Sequence, residues 1–261
     1  MTGWLVAASA LVTVAAAARG TWSPCGLSMI SAINPISERS RGNRYWLTTL
    51  WFIAGAVAGG AGLGLLGAVL ALPGRLLAGH PLPVAVLAEA CCLVALAGDL
   101  RLVRLPIHPR QVNELWLMRY RRWLYAAGFG VQIGTGFATY IMTAATYAVP
   151  VLAGLTGSPA LAFATGLLFG LVRGSAVLLS ARCRTGDALR RLHAWLAAHD
   201  SASLRAVMAV ELAAAVLVAL PASAPLALGC AAVGGGLPVV ALRIVPRWKF
   251  RLHRAAPGGV G

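Results

Sequence analysis

Gly20-Thr-Trp-Ser-Pro-Cys-Gly-Leu-Ser-Met-Ile-Ser-Ala-Ile-Asn-Pro35 lies inside an apolar run that extends over residues 4–36. A continuous helix over that run would measure about 50 Å at 1.5 Å per residue. The hydrocarbon core of a bilayer is only about 30 Å thick. The run must therefore tilt strongly or break, and Gly20, Pro24, Gly26 and Pro35 are the residues that break helices. A second over-long run, 123–155, carries Gly134, Gly136 and Pro150 at matching places. Its stretch Gly134-Thr-Gly-Phe-Ala-Thr-Tyr-Ile-Met-Thr-Ala-Ala-Thr-Tyr-Ala-Val-Pro150 loosely echoes the first.

The rest of the chain has the same character. Of its 261 residues 59% are hydrophobic and 11% charged, against about 25% charged in a soluble domain. Too little polar surface remains to cover a soluble globule. Further apolar runs cover 46–72, 83–100, 159–181, 204–220 and 225–245, which makes seven candidate spans in all. The net charge of +15 could suggest nucleic acid, but the basic residues form no stripe and no nucleic-acid motif. All of them except Arg19, Arg75 and Arg173 fall in alternate inter-span segments. Cytoplasmic loops attract Lys and Arg, so the N-terminus is expected outside and the C-terminus in the cytoplasm. Trp46, Trp51, Trp116, Trp123, Trp195 and Trp248 lie near the same inner ends, as an interfacial belt would. Within 187–199, Leu189, Leu192, Trp195 and Leu196 fall on one helical face, which predicts a short amphipathic helix on the inner surface.

The two broken runs suggest an internal repeat. Residues 83–100 and 204–220 each carry one acid, Glu89 and Glu211, in similar apolar surroundings. Matching spans lie three apart in chain order, an odd offset, so the halves run in opposite directions, as in many transporters. The expected fold is an all-α polytopic membrane protein with a 3+3 inverted repeat. Residues 1–105 form the first half and 106–222 the second, followed by a seventh helix at 223–247 and a cytoplasmic tail at 248–261.

Charges inside spans are functional candidates because they are costly there. Arg19, Glu89, Arg173 and Glu211 are these residues, and Arg19–Glu89 and Arg173–Glu211 are the expected ion pairs. Such pairs either fix helix packing or line a proton or anion path. Ser23, Pro24 and Ser28 surround the first break, and Thr139, Tyr140 and Thr143 the second. Broken helices expose backbone groups that can hold a solute, although small residues also serve plain packing. The run Gly62-Leu-Gly-Leu-Leu-Gly67 matches a dinucleotide fingerprint in letters only, because no strand precedes it. Gly55, Gly59, Gly60 and Gly64 fit close helix packing instead. The scattered histidines and the five cysteines, Cys25, Cys91, Cys92, Cys183 and Cys230, show no metal-binding spacing. No metal and no cofactor are expected. Cys25 stands out because it follows a proline at a helix break, where a new helix N-terminus favours a thiolate.

Ser23-Pro24-Cys25-Gly26-Leu27-Ser28-Met29 resembles the first-span motif of the CcdA and DsbD membrane family, SPC-x-LP or TPC-x-LP. The resemblance implies an inverted repeat of three helices and a role in cytochrome c biogenesis or thiol–disulfide transfer. That family passes reducing equivalents from cytoplasmic thioredoxin-like proteins to extracytoplasmic partners, with one cysteine in each broken helix. Only Cys25 can be carried over as the catalytic residue. The second break, Ala138-Thr139-Tyr140-Ile141-Met142, has no cysteine, and Ser28 stands where the motif has proline. A two-cysteine relay would need Cys91, Cys92 or Cys230. The alternative on the same scaffold is a transporter or exporter of a small solute or anion. In either case the lipid bilayer of the cell membrane is the expected surrounding, with no nucleic-acid partner.

Overall fold

A computed structural model describes residues 2–77, 79–103 and 120–220, and every regular element among them is helical. Helix α1 (Thr2–Arg19) runs into a single 3-10 turn, Gly20–Trp22, and is followed by α2 (Pro24–Ala32) and α3 (Pro35–Ser40). Helices α4 (Tyr45–Leu77) and α5 (Pro81–Asp99) follow. Beyond them come α6 (Arg122–Gly134), α7 (Ala145–Leu155), α8 (Pro159–Ser175) with a 3-10 extension Ala176–Arg182, and α9 (Gly186–Ala219).

The breaks are written as a capping residue followed by proline. Ser23 Oγ accepts from Gly26 N at 3.0 Å, and Pro24 opens α2. Asn34 Oδ1 accepts from the N–H groups of Ile36 and Ser37, both at 3.0 Å, and Pro35 opens α3. Ser158 and Pro159 repeat the device at α8. Each cap satisfies orphan donors, and proline at the first helical position lacks only an N–H that would have no partner there anyway. Helix α7 has no side-chain cap of its own. Asp99, at the end of α5, supplies one: it accepts from Ala144 N at 2.6 Å and from Thr143 Oγ1 at 2.5 Å.

Among the described residues, five helices are long and apolar enough to cross a bilayer: Gly3–Trp22, Tyr45–Leu77, Pro81–Asp99, Pro159–Arg182 and Gly186–Ala219. Their outward faces carry large apolar side chains such as Leu50, Leu65, Val69 and Leu76, which suit lipid contact. The run 123–155 is two half-helices, α6 and α7, separated by ten non-helical or turn residues, so neither half qualifies alone. The expected amphipathic helix over 187–199 is not a separate element. It is continuous with the following apolar run as the single 34-residue α9, because no proline or glycine interrupts residues 187–219. Leu189, Leu192 and Leu196 pack inward on Met29, Ile30 and Ile33, while Trp195 is turned out and stacks on His199. The expected seventh helix and tail lie outside the described residues.

Helix α4 is the central post, packed through glycines on α8 on one side and α6 on the other. A Cβ at Gly60 would stand 2.3 Å from the Gly166 carbonyl, and one at Gly166 would stand 2.2 Å from Gly64 N. Gly59 and Gly134 meet backbone of the facing helix, α6 and α4, at 2.2 and 2.0 Å. Backbones that touch this way leave room for no side chain at all. Gly62, in the same run, faces open space. Gly166→Val is therefore expected to cost upward of about 3 kcal/mol, beyond ordinary overpacking, read as loss of folded protein on size exclusion in detergent. Gly62→Val should leave folding unchanged.

Candidate functional site

Two helix breaks meet one buried arginine. Arg173, near the end of α8, is only 5% exposed. Its Nη1 lies 1.1 Å from where a Cβ on Gly20 would sit, so the guanidinium rests directly on the Gly20 backbone in the first break. Its Nη2 donates to Thr139 Oγ1, in the second break, at 3.4 Å. The arginine thus joins the two interruptions that the sequence pairs. Its ring neighbour is Phe169, 6.0 Å from the guanidinium carbon. Phe169 in turn packs on Gly136, whose φ of +76° is a conformation that side-chain-bearing residues avoid.

Cys25 is the second residue of α2 and is 2% exposed. Its sulfur lies within electrostatic reach of Arg173. The turn in front of it is held shut: Ser23 Oγ donates to the Gly20 carbonyl at 2.7 Å, and Gly26 packs against the carbonyls of Thr21 and Gly20. A buried positive charge and a helix N-terminus thus accompany the same cysteine. Among the described residues, Cys25, Cys91, Cys92 and Cys183 form no disulfide with one another. Cys183 is of another kind. It ends the 3-10 extension of α8, and burial pushes its thiol up, with Arg191 opposing. Cys230 lies outside the described residues.

The site residues expected from sequence divide into two groups. Ser23, Pro24, Cys25, Thr139 and Arg173 gather at the junction, while Ser28 and Tyr140 are half-buried beside it. Thr143 belongs elsewhere, capping α7 with Asp99. Neither expected ion pair forms. Arg19 Nη1 bonds Asp200 Oδ1 at 2.7 Å and Ser203 Oγ at 2.5 Å rather than Glu89. The reason is the break itself: α1 stops at Arg19, level with Asp200 on α9, and within electrostatic reach of Asp99 at the far end of α5 from Glu89. Glu211 accepts no hydrogen bond, and no cation lies within 4.0 Å of it among the described residues. Arg173 cannot serve it, because its guanidinium is drawn between the two breaks.

Sequence reasoning passed over Glu38, which is fully buried. Its carboxylate accepts from Arg41 Nη1 at 2.9 Å, Thr48 Oγ1 at 2.5 Å and Tyr125 OH at 2.9 Å, and so ties α3 to α4 and α6. The one available signal was an acid standing alone among the arginines of the first basic segment.

No protein-family model matches the chain, and no solved structure does. Relatives are found by sequence. The chain is 32% identical over 202 residues to the methylamine utilization protein MauF of Paracoccus denitrificans, covering 76% of this chain and 70% of that relative. The chain belongs to the MauF family. The MauF of Paracoccus versutus is 32% identical over 160 residues, 59% of this chain and 57% of that protein. The MauF of Methylorubrum extorquens is 28% identical over 142 residues, 53% of this chain and 50% of its own length. The likeness to CcdA and DsbD rests on the seven residues of its motif alone, whereas the likeness to MauF extends over most of the chain. In this MauF-family chain the Arg173 junction brings charge, thiol and broken backbone together.

Proposed function

We propose that this MauF-family chain is a cell-membrane protein of methylamine utilization in which Cys25 carries out thiol–disulfide exchange, passing reducing equivalents across the bilayer. The observation that supports this reading is Arg173 set between the two helix breaks with Cys25 beside it. In the exchange, the Cys25 sulfur attacks one sulfur of a partner disulfide and forms a mixed disulfide. The other partner sulfur leaves as a thiolate. A second thiol, from Cys91, Cys92, Cys230 or a thioredoxin-like dithiol, then attacks the Cys25 sulfur and forms a disulfide with it, the partner's remaining sulfur leaves as a thiolate, and two electrons have passed to the partner. Arg173 and the first turn of α2 stabilise the charge that passes through sulfur.

The scaffold we propose is the inverted repeat of residues 1–105 and 106–222, with the N-terminus outside. Three features support it. The first and fourth apolar runs are both broken, α4 and α8 (the second spans of each half) pack closely on one another, and the basic residues alternate. The seventh span is part of the same proposal.

A second reading, passage of a small solute, is favoured by the absence of any carboxylate within 4.0 Å of Arg173 among the described residues. The solute would then be an anion, because a fixed buried cation repels the methylammonium ion.

Acid-quenched alkylation distinguishes the two readings. Cells expressing the full chain are precipitated in acid and treated with a heavy maleimide before and after reduction. The redox reading expects a fraction of Cys25 protected as a disulfide, and this fraction should rise when Cys91 or Cys230 is replaced by serine if that residue resolves it. Cys25 wholly reduced in every variant, together with methylamine growth unaffected by Cys25→Ser, would leave only the solute reading.

A further inference from the structure

Away from the Arg173 junction, the packing of α5 on α9 encloses a carboxyl group that the proposed function does not use. Glu211, midway along the apolar part of α9, is 1% exposed. Neither of its oxygens has a hydrogen-bond partner among the described residues. The groups that face it are known. Cys91, Cys92 and Asp99 of α5 all interact with it electrostatically, and Glu89 on the same helix acts on Cys92 from the other side. From α1, Arg19 reaches Asp99 but is itself held by Asp200, which is 48% exposed. Among the described residues, the titratable groups that act on Glu211 are thus acids and thiols, and none of the ion pairs there includes it.

We propose that Glu211 is a proton-binding site inside the membrane, with Asp99 as the acidic neighbour between it and the inner ends of the helices. A bare carboxylate with neither donor nor cation would be severely destabilised in this packing, whereas the neutral acid needs only one weak partner or a water. The two buried oxygens without partners are where such a water or proton belongs. Asp99 strengthens the case, because a second acid nearby opposes ionisation of the first.

The test is labelling of the full chain, purified in detergent, with dicyclohexylcarbodiimide, which modifies protonated carboxyls in apolar surroundings. Adducts are mapped by mass spectrometry across pH 5–9. The adduct is expected on Glu211, decreasing as pH rises, and absent from Glu211→Gln. In Asp99→Asn the loss of labelling should move to lower pH, because removing a negative neighbour lets Glu211 ionise sooner. A purely structural role for Asp99 would not move that midpoint. Thermal melting gives a second readout that does not depend on reagent access: Glu211→Gln, which mimics the neutral acid, should melt with the parent at pH 6. Absence of the Glu211 adduct at every pH, together with a marked drop in the melting temperature of Glu211→Gln at pH 6, would overturn the proposal. Cys25 takes no part in either measurement, so their outcome is independent of the redox reading.

Discussion

Glu38→Ala is expected to be strongly destabilising, costing about 3–5 kcal/mol. Glu38 is fully buried and accepts from three side chains on three elements. Its removal leaves the hydroxyls of Thr48 and Tyr125 without their acceptor and the partly buried Arg41 without its only carboxylate. A stranded donor costs its full desolvation penalty, and a stranded charge costs more. Glu38→Gln keeps one acceptor oxygen and should recover part of the loss. The measurement is the detergent-solubilised melting temperature of parent, Glu38→Gln and Glu38→Ala, expected in that descending order. Equal melting of Glu38→Ala and parent would mean that this network contributes nothing to folding.

Gly20→Ala is expected to spare the fold and remove the site. A Cβ at position 20 would stand 1.1 Å from Arg173 Nη1 and 2.2 Å from its Cζ. Both atoms are at the far end of a flexible side chain, so the arginine swings away rather than the backbone. Cys25 then loses its neighbouring cation while α2 and its cap remain. Losing roughly 1.4 kcal/mol of charge stabilisation slows a thiolate reaction about tenfold. The expected result is a rate of Cys25 disulfide formation at least that much lower, with the melting temperature close to the parent. Arg173→Lys should fall between the parent and Gly20→Ala, since it keeps a charge but not the planar fork that reaches both Gly20 and Thr139. The same comparison serves the solute reading, where transport rather than thiol chemistry would fall.

Much of this arrangement was legible in residue order. An apolar run of 33 positions cannot cross a bilayer as one straight helix, and cap–proline pairs such as Ser23-Pro24 and Asn34-Pro35 mark where it stops. The glycines of α4 announced close packing because glycine gains nothing else in a lipid-facing helix. The ion pairs were not legible. Pairing Arg19 with Glu89 assumed that depth follows position in an unbroken span, but α1 ends at Arg19 and presents it to Asp200. Asp200 lay just beyond the amphipathic helix expected over 187–199, which was read as separate from the apolar run that follows. Their fusion into α9 follows from the lack of any proline or glycine over 187–219, a local signal that the change from a polar to an apolar pattern masks. Glu38 escaped notice for a related reason: its three partners come from positions 41, 48 and 125, and only the fold brings the last of them near.

The account stands or falls on whether Cys25 is needed for methylamine utilization, and growth measures this directly. A strain lacking its own MauF is complemented with the parent chain, Cys25→Ser and Cys183→Ser, with membrane levels matched by immunoblot, and grown with methylamine as the sole nitrogen source. Parent and Cys183→Ser are expected to grow alike, while Cys25→Ser fails to grow on methylamine and grows normally on ammonium. Full growth of Cys25→Ser on methylamine at equal membrane levels would contradict the thiol–disulfide account.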